Sequence, residues 1–355
     1  MPRWAWIVPA AAAALLGAAL LLPLGTAVLW VCAPMLIAAV IASVHHAEVV
    51  AHRVGEPFGT LVLAISITVI EVALIVSVML TGGADKATVP RDTVFSAVMI
   101  IVNGVVGLCL LVGGLRHHEQ SFRLEGANSG LAALIALATL SLVLPSYTTS
   151  TGGPTYSPLQ LAFAAVASLV LWAVFVFVQT VRHRDYFLPP GNPADEEAHA
   201  PPPSARRAWA SFGLLVVSLV AVVGLAKLLS PTIERGVAEA GLPKAVIGIA
   251  IAMLVLLPET WAALRAARAD RLQTSLNLAL GSALASIGLT IPVVAIASIW
   301  FDLPLVLGIE PKETVLLLLS FLVGAITLAT GRTHMMQGAV HLVIFAAYLF
   351  LALVP

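Results

Sequence analysis

Long apolar runs recur along the chain from end to end, separated by short polar stretches. Each run is about 20 residues long, enough for an α-helix to cross the roughly 30 Å of a bilayer's hydrocarbon core. None alternates apolar and polar residues as a membrane β-strand does. The pattern predicts an all-α polytopic membrane protein of eleven transmembrane helices. The predicted spans are 4–22, 26–51, 60–81, 92–114, 127–145, 158–181, 208–229, 243–265, 273–300, 313–330 and 335–354.

The first run follows Arg3 and could instead be a cleaved signal peptide, since it has a basic start and an apolar centre. We expect a retained helix. Lys and Arg in the short loops then indicate orientation, because basic loops stay in the cytoplasm. If the N-terminus is cytoplasmic, the external face receives only Lys86, Arg91, Arg235, Lys244 and Lys312. The bias predicts a cytoplasmic N-terminus and an external C-terminus.

Composition agrees with this interpretation. Hydrophobic residues make up 60% of the chain and charged residues 10%, which excludes a soluble domain with a polar surface. The charge is balanced, with 18 basic and 18 acidic residues, so nothing suggests nucleic acid as a partner. Cys32 and Cys109 lie inside predicted spans, where a disulfide framework is not expected. No cofactor is expected, and the oligomeric state is left open.

Two carboxylates interrupt the apolar pattern. Glu71 lies in TVIEVALI and Glu259 in LLPETWAAL, each near the middle of a span. An ionised carboxylate there costs at least a few kcal/mol unless it is protonated, binds a cation or faces water. Two neighbouring carboxylates would bind protons and a divalent cation in competition. The sequence therefore predicts one site shared by protons and a cation.

A Pro-rich, charged stretch divides the chain into two groups of five spans, apart from the first span. An odd number of spans per group means that the second group is inverted relative to the first, as in many secondary transporters. Each glutamate lies on the second span of its group. The predicted parts are an N-terminal helix (1–25), a first inverted repeat (26–181), a cytoplasmic linker (182–207) and a second repeat (208–355).

Nearby polar residues could add the hard oxygen ligands that Ca²⁺ or Na⁺ requires. Thr68 lies one turn before Glu71, and the span after each glutamate helix is polar at its centre. A single hydroxyl in a membrane helix is also commonly an interhelical hydrogen bond. The candidate ligands beside the two glutamates are Thr68, Asn103, Ser282 and Ser286.

The segments HHAEVVAHRVGEPFGTLVLAISITVIEVALIVSVML and LPETWAALRAARADRLQTSLNLALGSALASIGLTIPV resemble the two alpha-repeats of the cation/calcium exchanger superfamily. Within it, the chain is similar to the bacterial ChaA-type calcium/proton and sodium-potassium/proton antiporters. The resemblance implies ten core helices in two inverted repeats plus an N-terminal helix, located in a bacterial inner membrane. It also implies that Glu71 and Glu259 are the catalytic glutamates and that Asn103 is the repeat-region asparagine.

The sequence departs from the family at the glutamate motifs, which read TVIE and LLPE, and at Ala285, where related calcium exchangers often have Gln. These differences bear on the choice of ion. We expect a calcium/proton antiporter that works by alternating access, with a sodium or potassium/proton antiporter as the alternative. A cation channel is a further alternative from another class. An enzyme is not expected, since no hydrolase motif is found.

A second polar cluster precedes the third span. His45, Glu48 and His52 share one helical face, and Glu56 follows. Because His titrates near physiological pH, these four residues could relay protons from the cytoplasm to the site. The alternatives are a partly solvated helix end or a zinc site, for which no fourth ligand is evident.

Overall fold

The computed structural model describes residues 1–21, 27–55, 58–82, 86–188, 203–243 and 245–354. Most of them are helical. The helices of the first half are α1 (Trp4–Leu21), α2 (Ala27–Val54), α3 (Phe58–Gly82), α4 (Val89–Met99), α5 (Val106–His117), α6 (Leu124–Ala138) and α7 (Pro158–Phe177). Those of the second half are α8 (Ala205–Glu239), α9 (Ala245–Arg268), α10 (Leu272–Phe301), α11 (Pro311–Leu328) and α12 (Met335–Leu353).

Short stretches of other helix types extend or join these elements. The π-helical segment Ile100–Val105 joins α4 to α5, so the two form one membrane span. A π-helical segment (Thr139–Val143) and a 3-10 turn (Leu144–Ser146) extend α6. The corresponding segments after α7 are Val178–Arg182 and Arg184–Phe187.

The predicted eleven spans are confirmed. Ten helical segments among the described residues are long and apolar enough to cross a membrane. The eleventh span is α3, which has 25 residues and contains the apolar segment Ile65–Leu80. One boundary differs, because α8 continues to Glu239 instead of ending near residue 229. The extra turns are held by Glu234, which accepts from Ser230 at 2.9 Å and pairs with Lys86 at 2.9 Å.

Several helices begin where the sequence supplies a cap. Ser157 accepts a hydrogen bond from the backbone of Gln160, whose side chain accepts from the backbone of Ser157, and Pro158 is the first helical residue of α7. This reciprocal cap satisfies amide groups that have no partner within the helix. Ser204 caps α8 by accepting from the backbone of Arg207. Helix α8 therefore begins at a defined residue near the end of the predicted linker.

The helices pack around two large apolar cores. One core joins α1, α2, α3 and α8 and includes Ala12, Val40 and Leu225, all fully buried. The other joins α4 to α7 with α9 to α12, with Leu134, Leu284 and Leu317 at its centre. Helix α1 belongs to the first core, and the Ala5 carbonyl lies 2.7 Å from His46 Nε2. The first span is therefore an integral helix of the bundle.

Loops on the predicted cytoplasmic face contact each other across the two halves. The strands β1 (Glu119–Ser121) and β2 (Arg332–His334) pair antiparallel, a small addition to the predicted all-α fold. Gln120 of β1 also donates through Nε2 to the carbonyl of Ala267 in α9, at 3.0 Å. These loops share one face, as the alternation of spans requires.

Candidate cation site

Glu71 lies in the interior of the bundle, near the middle of α3. Its neighbours Ile70 and Val72 are buried, and the residue itself is only 4% exposed. Ser286 of α10 donates a hydrogen bond to Glu71 Oε1 at 2.6 Å. The first glutamate and one of its predicted hydroxyl partners therefore meet, although 215 residues separate them in sequence. Such a short bond is typical of a hydroxyl that donates to a carboxylate.

Glu259 lies on α9, where the apolar turns before it include the buried Val255 and Leu256. Both carboxyl oxygens of Glu259 are enclosed, and neither has a hydrogen-bond partner in another described residue. Helix α9 continues through Pro258. Because proline has no amide hydrogen, the carbonyl of Leu254 lacks its usual intrahelical donor. Helix α9 thus offers the two carboxyl oxygens of Glu259 without partners and the backbone carbonyl of Leu254 without its usual donor.

The two glutamates lie on neighbouring helices. Helices α3 and α9 pack against each other, and α2, which carries Glu48, packs against both. Among the described residues, no Lys or Arg forms an ion pair with Glu71 or Glu259. Two enclosed carboxylates without a basic partner can be neutralised by protons or by a cation.

Two further predicted ligands lie along the contact between α3 and α10. Thr68 is buried and precedes Glu71 by one turn. Ser282 is half-buried and precedes Ser286 by one turn. Residues three or four apart lie on the same side of a helix. Thr68 on α3 and Ser282 on α10 therefore each lie one turn from the Glu71–Ser286 bond, on the helix faces that meet there.

Asn103 belongs to a different cluster. Its amide donates to Ser320 Oγ at 2.8 Å, and its carbonyl oxygen lies 3.2 Å from His341 Nδ1. His341 Nε2 in turn lies 3.1 Å from Thr327 Oγ1. All four side chains are buried, in the π-helical segment, α11 and α12. Asn103 thus anchors three segments together, and its partners in α11 and α12 were not among the residues predicted from the sequence.

Three residues of the predicted proton relay, His45, Glu48 and His52, lie among the described residues. The His45 ring lies 5.0 Å from the Trp4 ring between centroids, and its Nε2 atom is enclosed without a hydrogen-bond partner. Glu48 interacts electrostatically with Arg265 of α9 as well as with Glu259. His52 is exposed, and Glu56 lies outside the described residues.

A zinc site gains no support. Within the described ranges, no group of three or more His, Cys, Asp or Glu side chains could hold a metal ion. The electrostatic interaction between Glu48 and Arg265 could not be predicted from the sequence, because it joins helices from different halves.

A polytopic helical bundle with a pair of enclosed, unpaired carboxylates on corresponding helices of its two halves is the architecture of a secondary transporter rather than an enzyme. The comparisons agree. Residues 18–181 and 210–354 match the family described as sodium/calcium exchanger protein, so the chain belongs to that family.

Three individual proteins illustrate the similarity. The chain is 50% identical over 361 residues to y4hA of Sinorhizobium fredii, whose name gives ionic transport as a proposed role; the match covers 100% of this chain and 97% of that protein. It is 36% identical to the sodium-potassium/proton antiporter ChaA of Escherichia coli, over 86% and 83% of the two chains. The solved structure of native YfkE superimposes with a TM-score of 0.75 at 18% identity, covering 99% of this chain and 100% of that one.

Proposed function

We propose that this protein is a cation/proton antiporter in which Glu71 and Glu259 bind protons and the cation alternately. The observation that carries the proposal is the enclosure of both carboxyl groups without a basic partner among the described residues. A buried structural carboxylate would need a cationic partner, because burial of an unpaired charge is costly. Protons or a transported cation can fill that need.

The two glutamates also account for coupling. One divalent cation neutralises two ionised carboxylates, and two protons do the same. Either neutral form crosses a closed, water-free state more readily than the empty site with two negative charges. Protons and cation therefore exchange places when the site faces one side of the membrane and then the other.

We favour Ca²⁺ as the exchanged cation. The site offers carboxylate and hydroxyl oxygens from Glu71, Glu259, Ser286 and Thr68. Such hard ligands suit Ca²⁺, which takes six to eight oxygens. YfkE, which has the same fold, is described as a Ca²⁺/H⁺ antiporter. Exchange of Na⁺ or K⁺ is the second candidate, because the 36% identical relative is a sodium-potassium/proton antiporter.

We propose that Glu48 lies on the route by which protons reach the site from the cytoplasm. Its charge acts on Glu259, and Arg265 at the end of α9 acts on Glu48. A carboxylate between the basic helix end and the buried pair can pass protons inward. His45 and His52 extend the same helical face toward the loop.

The proposed setting is a bacterial inner membrane with the N-terminus in the cytoplasm. The two repeats are proposed to be 26–181 and 208–355, and the division is supported by the two segments that match the family, 18–181 and 210–354, which lie on either side of the linker. The loops that carry most of the Arg residues would then face the cytoplasm.

The test uses purified protein in liposomes with an imposed pH gradient and a pH dye inside. Ca²⁺, Na⁺ and K⁺ are added in separate runs. We expect saturable proton movement in response to Ca²⁺, which is lost in Glu71→Gln and kept in Glu125→Gln. Glu125 is an exposed residue of α6 and serves as the matched control for charge loss. A response to Na⁺ or K⁺ alone would assign the second candidate, and non-saturating flux would indicate a channel.

A further inference from the structure

Thr290 of α10 has an unusual environment for a hydroxyl in a membrane helix. It is fully buried, and its Oγ1 atom has no hydrogen-bond partner among the described residues. Other helical threonines in this protein donate to the carbonyl one turn earlier, as Thr260 does to Leu256 and Thr180 to Val176, both at 2.7 Å. A buried hydroxyl without a partner is destabilising. A cation within reach would supply the missing partner.

The position of Thr290 follows from helix geometry. It lies four residues after Ser286, so the two hydroxyls are on the same face of α10, one turn apart. That face contacts α3, because Ser286 donates to Glu71. The opposite face contacts α7, where a Cβ at Gly288 would lie 2.6 Å from Trp172. Thr290 therefore lies on the side of α10 that carries the candidate site.

An apolar layer begins at the level of Thr290. Ile75 and Met79 of α3 pack against Val294 of α10, and all three are buried. Glu71, which contacts Ser286, lies four residues before Ile75 in α3, and Ser286 likewise lies before Val294 in α10. The two helices therefore run in the same direction. By this register, Thr290 lies level with Ile75. Its hydroxyl is the next oxygen on this face between the carboxylates and the apolar layer.

We propose that Thr290 is a further cation-binding residue, one turn beyond Ser286 on the side of the apolar layer. This inference rests on the proposed function. The four residues from Ser286 to Thr290 advance about 6 Å along α10. Two oxygens on one Ca²⁺ can be at most about 5 Å apart, since each bond is 2.3–2.6 Å long. Thr290 therefore holds the ion in a displaced position, on its way past the layer formed by Ile75, Met79 and Val294.

A cation position that is displaced from the two glutamates affects the transport rate more than the affinity for the cation. Removal of the Thr290 hydroxyl leaves the ligands at Glu71 and Ser286 in place, so the apparent KM for the cation stays within about twofold. The turnover rate falls, because the ion loses an oxygen ligand on its route. We expect about a fivefold fall in kcat, which corresponds to about 1 kcal/mol of activation free energy.

The test compares Thr290→Val, which has the same shape, with Thr290→Ser and Thr93→Val. Thr93 of α4 is the matched control, because it too is fully buried with an unpartnered hydroxyl. It contacts Gly248 on α9, eleven residues before Glu259. Initial rates of Ca²⁺-driven proton movement are measured in liposomes over a range of Ca²⁺ concentrations, with Na⁺ and K⁺ in parallel.

The expected result is a lower kcat for Thr290→Val, near-normal kcat for Thr290→Ser and unchanged kinetics for Thr93→Val. Thermal stability should not fall in either valine variant, since an unpaired buried hydroxyl is removed. If Thr290→Val does not fold, Thr290→Ala supplies a second variant without the hydroxyl. Normal kcat in the hydroxyl-free variant, or an equal fall in Thr93→Val, would overturn the inference alone. Absence of exchange in the unaltered protein would overturn the proposed function itself.

Discussion

The hydrogen bond from Ser286 to Glu71 gives a quantitative prediction. A double-mutant cycle with Ser286→Ala and Glu71→Leu isolates its energy, because leucine cannot accept the bond. Interhelical hydrogen bonds between neutral groups in membranes average about 0.6 kcal/mol. Bonds to a charged group contribute about 1.5–3 kcal/mol. The distance of 2.6 Å and the burial of both residues favour the upper range whenever the carboxyl group is ionised.

The coupling energy should therefore depend on pH. The free energy of unfolding of the four proteins is measured by SDS titration in mixed micelles, once in acid and once in alkaline buffer. We expect coupling of about 0.6 kcal/mol where Glu71 is protonated and at least about 1.5 kcal/mol where it is ionised. The change would report the titration of Glu71 inside the protein.

Ser168→Ala is the control for this cycle. Ser168 is also a fully buried serine, but it lies on α7 and its hydroxyl is 3.4 Å from that of Ser141. It should show no coupling to Glu71→Leu at either pH. Additive effects of Ser286→Ala and Glu71→Leu would refute the reasoning, as would coupling that stays constant with pH.

Two further changes test other parts of the structure. Lys86→Ala should destabilise the protein by about 1–3 kcal/mol, because it removes the charge-assisted bond from the buried Lys86 to Glu234; exposed Lys312→Ala should cost about 0–1 kcal/mol in the same unfolding titration. Asn103→Ala should cost about 1–3 kcal/mol, since it leaves the buried Nδ1 atom of His341 without a hydrogen-bond partner. Its apparent KM for the cation should not change, and a large rise would instead make Asn103 a cation ligand.

Much of the fold could be predicted because hydrophobicity alone defines a membrane span. The long apolar runs located the helices to within a few residues, and the odd number of spans in each half indicated the inversion. The end of α8 could not be predicted, since it depends on the contact between Glu234 and Lys86, which come from different halves of the chain. Pro231 lies inside this segment, and α8 continues through it.

The candidate site could be predicted only in part. Glu71 and Glu259 were evident because a carboxylate in an apolar span is costly. The pairing of Glu71 with Ser286 rather than with Asn103 depends on how α3 and α10 align, which no local pattern specifies. Asn103 stays a predicted ligand, but its partners on α11 and α12, Ser320 among them, could not be predicted because no local pattern reveals them.

The most direct test of the account is proton release on cation binding. Ca²⁺ is added to purified protein in weakly buffered detergent solution, and the pH change and bound Ca²⁺ are measured together, with Na⁺ and K⁺ in parallel. If protons and cation share the two carboxylates, the unaltered protein releases protons as it binds the cation. Glu71→Gln and Glu259→Gln should each bind less cation and release fewer protons. Cation binding without proton release, or release unchanged in both variants, would contradict the shared site.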